Sequence, residues 1–184
     1  MKVNIIVADE FYNNAENVRS FALTQEFNIS GNYPGYRTKS HLTSDTKIAI
    51  QNLLYPHAGL ITNWHEQDGF TGSFQLTYAS DRSWIHADIY NAWAGVLYLT
   101  PDAPLSGGTG IYRYKENKAY TEKELQGEYE SQDFTKWELV DQIGNKFNRL
   151  VLYRADLFHT SMNYFGKDPL SGRLFQLFFI DTEN

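Results

Sequence analysis

The sequence predicts a mostly β fold, a sandwich or barrel-like pair of sheets preceded by helices. From Gly59 onward, seven short runs rich in β-branched and aromatic residues alternate with Gly, Asp, Asn, Ser and Pro. Before Gly59, apolar residues recur at helical spacing. Aromatic residues make up 16% of the 184 residues, so the chain has enough apolar surface to offset the entropy lost on folding.

The N-terminal part is predicted to hold one strand and two helices. Residues 3–7 form a short apolar run typical of a strand, and residues 11–27 have the apolar spacing of a helix. Residues 30–35 are rich in Gly, Asn and Pro, and this composition predicts a loop. A second helix is predicted over residues 44–55, with a polar residue at its start and Pro56 after its end.

The remainder is predicted to be β-rich and to belong to the same domain. One helix is predicted within it, over residues 133–147. With no internal repeat, linker or break in composition, we expect a single domain over residues 1–184, with a helical flank over 1–58 and a β core over 59–184. The seven predicted strands cover residues 60–64, 73–79, 84–90, 93–100, 110–114, 149–155 and 173–180.

The composition limits the chemistry that a site in this chain can use. The chain has no cysteine, which excludes disulfides, thiolate nucleophiles and sites in which cysteine binds zinc or an iron–sulfur cluster. Any metal must therefore be bound by nitrogen and oxygen atoms. The net charge of −6 argues against general binding of nucleic acid, which requires a basic surface.

Neither a targeting signal nor a membrane segment is predicted. The N-terminal apolar run is short and is soon followed by acidic residues, unlike a signal peptide. No apolar run approaches the roughly 18 residues that cross a membrane. We therefore expect a soluble, cytoplasmic protein, and the sequence leaves its oligomeric state open.

Residues 84–90 contain the first candidate metal ligands. In a strand, side chains at positions i and i+2 point to the same face, so His86 and Asp88 are expected to converge. An imidazole and a carboxylate supply two of the three ligands in the 2-His-1-carboxylate triad of non-haem iron sites. A chain with 5 histidines is expected to contain about 0.3 His-x-Asp pairs by chance, so the pair alone also fits an exposed His beside a surface Asp.

Two later residues extend this hypothesis. His159 follows a predicted core strand and is the only histidine after His86, which makes it the candidate third ligand. Arg173 begins the last, strongly apolar strand. A buried arginine is costly without a carboxylate partner, and the distal carboxylate of a metal-bound oxo-acid would supply one. An internal salt bridge or an outward-pointing side chain is the alternative for Arg173.

The order of these residues resembles the 2-oxoglutarate/Fe(II)-dependent oxygenase superfamily, and more closely its prolyl-4-hydroxylase-like branch. The shared order is His-x-Asp, a distant His and an Arg that opens the final strand. Two further similarities are Tyr78, eight residues before His86, and the run over residues 96–102, which is followed by a Gly-Gly turn. The resemblance covers residues 73–180. It implies a mostly β fold with flanking helices, namely a double-stranded β-helix or distorted jelly roll.

The resemblance also implies a cofactor set and a reaction. The His–Asp–His triad would bind Fe(II), and 2-oxoglutarate would chelate the iron as cosubstrate. Its distal carboxylate would lie against Arg173 and the hydroxyl of Tyr98, and Tyr78 would line the oxo-acid pocket. O2 would take the remaining position on the iron. The implied reaction is hydroxylation of an unactivated C–H bond, with succinate and CO2 as co-products.

The substrate is expected to be a small molecule or a peptide, with a prolyl or other amino-acid residue as the first choice, and a nucleobase is disfavoured by the acidic charge. Residues 163–172, which lengthen the spacing between His159 and Arg173, are a candidate lid. The role of residues 115–148 stays open. Candidates for the pocket wall, each more often a core or surface residue, are Trp84, Tyr90, Trp93, Tyr112, Arg113 and Arg154.

Two alternative functions are compatible with these residues. One is a cupin-like metal-binding jelly roll that does not turn over 2-oxoglutarate. Such sites use more histidines, and His57 and His65 are present but lie outside any matching motif. The other is a binding protein that keeps the fold without catalysis. The complete ligand set and Arg173 argue against a decayed site.

Overall fold

The computed structural model describes residues 2–125 and 127–183. Within these ranges, no helix is both long and apolar enough to cross a membrane. The helices are α1 (Ala15–Leu23) and α2 (Ser44–Ala58). The strands are β1 (Ile5–Ala8), β2 (Ile29–Gly31), β3 (Tyr33–Ser40), β4 (Ile61–Asn63), β5 (Ser73–Thr77), β6 (Trp93–Tyr98), β7 (Thr109–Tyr114), β8 (Trp137–Ile143), β9 (Leu150–Arg154), β10 (His159–Ser161) and β11 (Arg173–Thr182).

The strands form two antiparallel sheets. The larger sheet has the order β1-β9-β6-β11-β5-β3-β2, and β4 pairs with the end of β11. The smaller sheet has the order β10-β7-β8. Strands that are neighbours in the sheets are mostly distant in the sequence, so the chain crosses repeatedly between the sheets, as in a jelly roll.

The two faces of the larger sheet bury different sets of side chains because successive residues of a strand point to opposite faces. On β11, Leu174 and Phe178 pack with Leu54 of α2 in the core on the helix side. Phe175 and Leu177 pack on the other face. Full burial of one such side chain stabilises the fold by about 1.5–3 kcal/mol. The face that points away from the helices carries the site described below.

The N-terminal segment is more than a helical flank, since β1, β2 and β3 all extend the larger sheet. The prediction of a loop over residues 30–35 was wrong, because β2 and β3 form a hairpin there, in which Ile29 pairs with Arg37 and Gly31 with Tyr33. The turn-forming residues that predicted a loop are accommodated at the edge of the sheet, where β2 has a free side.

Both helices differ in length from their predictions. The first was predicted over residues 11–27 but is only the nine residues of α1, and Phe11 packs on the core from the segment before it. The second continues past Pro56 to the end of α2. Its start follows the predicted capping chemistry, because the side-chain oxygen of Thr43 accepts a hydrogen bond from the backbone N–H of Thr46 at 3.2 Å.

Two other predicted elements were wrong. Residues 133–147 form no α-helix. Instead, a short 3₁₀ turn at Phe134–Lys136 leads into β8, whose central residues are exposed at the outer edge of the smaller sheet. Residues 84–90 are largely irregular and not a strand, apart from a single antiparallel bridge between His86 and His159. That bridge positions the candidate metal ligands.

We expect Gly108→Ala to destabilise the fold by about 1–3 kcal/mol, the usual cost of overpacking. A Cβ at Gly108 would lie far inside contact distance of the backbone carbonyl oxygen of Ile143, which cannot move away easily. In Gly144→Ala, the nearest atom to the added Cβ is the flexible Leu105 Cδ2 at 3.3 Å. Urea unfolding of both variants tests this, and equal midpoints would contradict it.

Candidate metal centre

The two candidate histidine ligands are joined through their backbones. The N–H of His86 donates to the carbonyl of His159 at 3.0 Å, and the N–H of His159 donates to the carbonyl of His86 at 2.8 Å. Two residues further along, the N–H of Asp88 donates to the carbonyl of Ala155 at 2.7 Å. These backbone bonds join the irregular segment to the segment that carries His159. The side chains of His86, Asp88 and His159 therefore lie close to a common point.

The three side chains have the arrangement of a metal site. One possible ligand atom from each of His86, Asp88 and His159 lies within 4.8 Å of the others. The Nε2 atom of His159 is 3.3 Å from one carboxylate oxygen of Asp88, and the Nε2 atom of His86 is 3.9 Å from the other. Two imidazoles and one carboxylate on one side of a point match the facial triad of non-haem iron.

Backbone carbonyls favour the histidine tautomers that a metal requires. The Nδ1 atom of His86 lies 3.0 Å from the carbonyl oxygen of Trp84, and the Nδ1 atom of His159 lies 2.8 Å from that of Leu157. Each Nδ1 can donate a hydrogen bond only if it carries the proton. The lone pair is then on Nε2, the atom that faces Asp88.

Electrostatic interactions favour the same protonation states. Burial lowers the pKa of His86, and its neighbour His159 lowers it further. Burial alone would raise the pKa of Asp88, but its interactions with His159, His86 and Arg37 bring that pKa below its ordinary value. At neutral pH the site therefore offers a neutral imidazole and an ionised carboxylate, the forms that bind metal.

The triad opens into a cavity of about 760 Å³, within the range of small-molecule sites. The larger sheet supplies its floor, which includes Val96, Leu177 and Phe179. The ring centroid of Tyr153 lies 4.6 Å from that of His159, so the two rings are in contact. These three floor residues are apolar, and an apolar surface limits the access of water.

Arg173 is the first residue of β11 and is completely buried. Its Nε donates to the carbonyl of Gly107 at 2.9 Å and its Nη2 to that of Gly108 at 3.4 Å. The Nη1 atom has no hydrogen-bond partner among the described residues, and no ion pair involving Arg173 occurs among them. A buried cation with an unused donor is costly, and an anionic ligand would remove that cost.

Tyr98 lies beside Arg173, with its ring centroid 5.4 Å from the guanidinium carbon. Its hydroxyl is 2.7 Å from the hydroxyl of Thr109. Burial raises the pKa of Tyr98, so the phenol is neutral and can act as a donor. Thr109 lines the cavity, and so does Phe175, which lies against the Arg173 guanidinium. Arg173 and Tyr98 thus lie directly behind the cavity wall.

The structure brings only some of the other predicted site residues to this cavity. Trp84 and Tyr90 line it. Tyr78 does not, because it lies on the helix side of the sheet with its ring against Gly172.

Four of the predicted wall residues lie elsewhere in the fold. Trp93 is in the helix-side core, and Tyr112 is in the core of the smaller sheet. Arg113 is 2.6 Å from Glu138 in a surface ion pair. Arg154 stacks over the ring of Trp93, with its guanidinium carbon 5.6 Å from the ring centroid. These positions leave them outside the cavity wall.

The segment predicted as a lid is tied to the body of the protein. The N–H of Ala79 donates to the carbonyl of Gly166 at 2.9 Å, and Arg19 of α1 donates to the carbonyl of Leu170 at 2.7 Å. Tyr164 from this segment lines the cavity, with its ring 5.9 Å from the guanidinium carbon of Arg173. Residues 163–172 are therefore anchored to the body of the protein, Tyr164 contributes to the cavity wall beside Arg173, and Tyr129 contributes to the wall from the 115–148 stretch.

The cavity residues that the sequence did not indicate include three polar residues on strands of the two sheets. Arg37 and Gln75 line the cavity from β3 and β5, and Thr109 lines it from β7. Because a loop was predicted over residues 30–35, Arg37 was not expected to lie on a strand. A strand prediction for residues 33–40 would have singled it out, because a charged residue with aromatic neighbours on a strand is unusual on a buried face.

Comparison with solved structures identifies relatives in fold. HygX from Streptomyces hygroscopicus, with nickel and 2-oxoglutarate bound, superimposes with a TM-score of 0.64 at 13% identity, over 99% of this chain and 84% of that one. A prolyl-4-hydroxylase from Pseudomonas putida gives a TM-score of 0.51 at 14% identity, over 98% of this chain and 94% of that one.

A third similar structure is a prolyl hydroxylase from Trichoplax adhaerens in complex with a peptide fragment of the hypoxia inducible factor oxygen degradation domain. It has a TM-score of 0.53 at 13% identity, over 97% of this chain and 84% of that one.

Sequence comparisons add little to this. Residues 116–180 match the model of a family of unknown function, DUF6445. No curated protein matches the sequence of the chain. The structural matches confirm the predicted jelly-roll-like fold and the predicted likeness to the prolyl-4-hydroxylase-like branch. This chain therefore has the fold of prolyl hydroxylases and of 2-oxoglutarate-bound HygX, with a His–Asp–His triad at its cavity.

Proposed function

We propose that the protein is an Fe(II)- and 2-oxoglutarate-dependent dioxygenase that hydroxylates an unactivated C–H bond of a small-molecule or peptidyl substrate. One observation carries the proposal: completely buried Arg173 has an unused donor and no ion pair among the described residues, directly behind the wall of the cavity that holds the triad. A metal site alone does not need such a cation, whereas a diacid bound to the metal does.

The residues present fit the proposed cofactor set. His86, Asp88 and His159 would hold Fe(II), with Asp88 offsetting part of its charge. Arg173 would bind the distal carboxylate of 2-oxoglutarate, assisted by the hydroxyl of Tyr98. Iron, 2-oxoglutarate and O2 together would supply the oxidising chemistry, with succinate and CO2 as co-products.

The protein's own part in the reaction is positioning and exclusion of water. The carbonyls of Trp84 and Leu157 hold the two imidazoles in the ligating tautomer. The fixed wall around Arg173 would orient the oxo-acid so that one end reaches the triad. The apolar floor formed by Val96 and Leu177 would keep bulk water from the reacting centre.

The proposed substrates include both small molecules and peptides. The Trichoplax prolyl hydroxylase is in complex with a peptide fragment, and a second HygX structure contains hygromycin B. These neighbours support both a peptide and a small molecule. The cavity of about 760 Å³ has room for 2-oxoglutarate and a part of either substrate. A prolyl or other amino-acid side chain is the first candidate for hydroxylation.

The proposal is tested by succinate formation from 2-oxoglutarate in the presence of Fe(II) and O2, followed by NMR. We expect wild-type protein to form succinate, slowly even without substrate, and His86→Ala to lose this activity with its iron binding. His57→Ala is the matched control because His57 is exposed on α2. If wild-type protein forms no succinate and His86→Ala binds iron as tightly, the proposal fails.

A further inference from the structure

We propose that Arg37 forms a second anion site in the same cavity and binds a carboxylate group of the substrate. This inference rests on the proposed function and deepens it, because it assigns the substrate to the class of small carboxylic acids. Arg37 lies on β3 and lines the cavity with the triad, and only 7% of its surface is exposed. It is not one of the residues that the proposed cofactor chemistry uses.

The guanidinium of Arg37 is held in a fixed orientation. Its Nε donates to the side-chain oxygen of Gln75 at 2.8 Å, and its Nη1 donates to the carbonyl of Gly69 at 2.7 Å. The amide nitrogen of Gln75 in turn donates to the carbonyl of Pro34 at 2.6 Å, which orients the amide. The guanidinium carbon lies 3.6 Å from the ring centroid of Tyr33. Such a preorganised planar group suits a carboxylate.

The positive charge of Arg37 has no ion-pair partner of its own. No carboxylate in the described ranges forms a salt bridge with it, and no hydrogen bond of its Nη2 occurs among those residues. Asp88 interacts with it through space, but a bound metal would claim that carboxylate. Burial lowers the pKa of Arg37 to about 10, so it remains charged at neutral pH. The unbalanced charge would be neutralised by an anionic ligand.

The position of Arg37 separates it from the site proposed for 2-oxoglutarate. Arg37 pairs with Gln75 on β5, and Gln75 pairs with Phe175 on β11. Arg173 lies two residues before Phe175 on that strand. Because neighbouring strands are about 4.8 Å apart, the backbones of Arg37 and Phe175 are separated by about 10 Å. A diacid that chelates the metal through one end has one distal carboxylate, so it can occupy only one of the two arginines.

The depth of Arg37 favours a small acid over an internal peptide segment. A peptide that passes through the cavity presents uncharged backbone groups to a buried wall. A free amino acid or another small carboxylic acid can bring its terminal carboxylate to the guanidinium and place its carbon chain toward the triad. The apolar rings of Phe70 and Phe179 lie on the same part of the wall and suit that chain.

The test uses full-length protein loaded with Ni(II) and 2-oxoglutarate, so that binding is measured without turnover. The probes are the free L-amino acids, each paired with its carboxamide, and the readout is the dissociation constant from calorimetry. We expect at least one acid to bind more than about tenfold tighter than its amide, since a charge-assisted hydrogen bond contributes that much. Arg37→Gln is expected to remove the preference and to change 2-oxoglutarate affinity less than about twofold.

Two further variants keep the result interpretable. Arg37→Lys retains the charge but not the planar group, so it should keep part of the acid preference even if the glutamine variant folds poorly. Arg149→Gln is the matched control, because Arg149 pairs with Asp9 at the surface. Its binding should equal that of wild type.

Several results would overturn the inference. These are the absence of any acid preference in wild type, a preference that survives in Arg37→Gln, and loss of 2-oxoglutarate binding in that variant, which would make Arg37 the cosubstrate anchor. Failure of wild-type protein to bind 2-oxoglutarate at all would instead refute the proposed function.

Discussion

Asp88→Asn is expected to lower the affinity for Fe(II) by more than about 100-fold, because substitution of residues outside the ligand set already costs 10–100-fold at comparable sites. Asparagine has nearly the same shape as aspartate, and the backbone bond from residue 88 to Ala155 does not depend on the side chain. The variant therefore removes the negative charge and leaves the geometry of the metal centre unchanged. Two neutral imidazoles and an amide oxygen bind a divalent ion weakly.

The affinity is best measured anaerobically, in competition with a coloured chelator. Asp102→Asn is a suitable control, since Asp102 is exposed and its positive φ of 51° is a conformation that asparagine tolerates. Thermal unfolding of both apoproteins should match that of wild type. Retention of wild-type iron affinity by Asp88→Asn would show that the carboxylate is not a ligand.

Arg173→Met is expected to weaken 2-oxoglutarate binding by about 10–150-fold while sparing the metal, because a hydrogen bond to a charged group contributes about 1.5–3 kcal/mol. The fold should not suffer, since the two carbonyls that Arg173 contacts have other donors. The side chain of Asn145 donates to Gly107 at 3.1 Å, and the N–H of Met162 donates to Gly108 at 3.0 Å. Replacing buried charged groups by apolar side chains of similar volume is often neutral or stabilising.

Two measurements separate a ligand-binding arginine from a structural one. Calorimetric titration of the Ni(II)-loaded variant gives the affinity for 2-oxoglutarate, and urea unfolding gives the stability. Arg113→Met serves as the control, because loss of its surface pair with Glu138 should change stability by less than about 1 kcal/mol. Equal loss of metal and oxo-acid binding, or a large loss of stability, would identify Arg173 as structural.

The sequence predicted the β-rich fold class because the strands of the larger sheet have clear signals. The last strand is an apolar run with Arg173 at its start, and this strand lies at the centre of the sheet. It also predicted which three side chains meet, since His-x-Asp and a single later histidine leave few choices. The sequence could not predict how these three side chains are held together, because the residues around His86 are held by backbone hydrogen bonds to a distant segment and not by a strand.

The wrong predictions share a physical cause, namely that tertiary pairing overrode local preference. The Gly, Asn and Pro residues before Arg37 favour turns, yet pairing with β5 draws the chain into a hairpin. In β8, the four central residues are all exposed, so the strand lacks the alternation of buried and exposed residues that identifies a half-buried strand. Local sequence does not contain the partner strands that decide such cases.

The reciprocal backbone bonds between His86 and His159 have a consequence for how the site would acquire its metal. Because the two histidines are already joined by the main chain, binding of an ion costs little further conformational entropy of the protein. Chelators should therefore remove the ion without unfolding the protein. The backbone amide hydrogens of both histidines should exchange slowly with solvent whether or not the ion is bound. Nitrogen and oxygen donors bind several divalent ions in the Irving–Williams order, so the supply of ions, together with the geometry of the site, would decide which ion fills it.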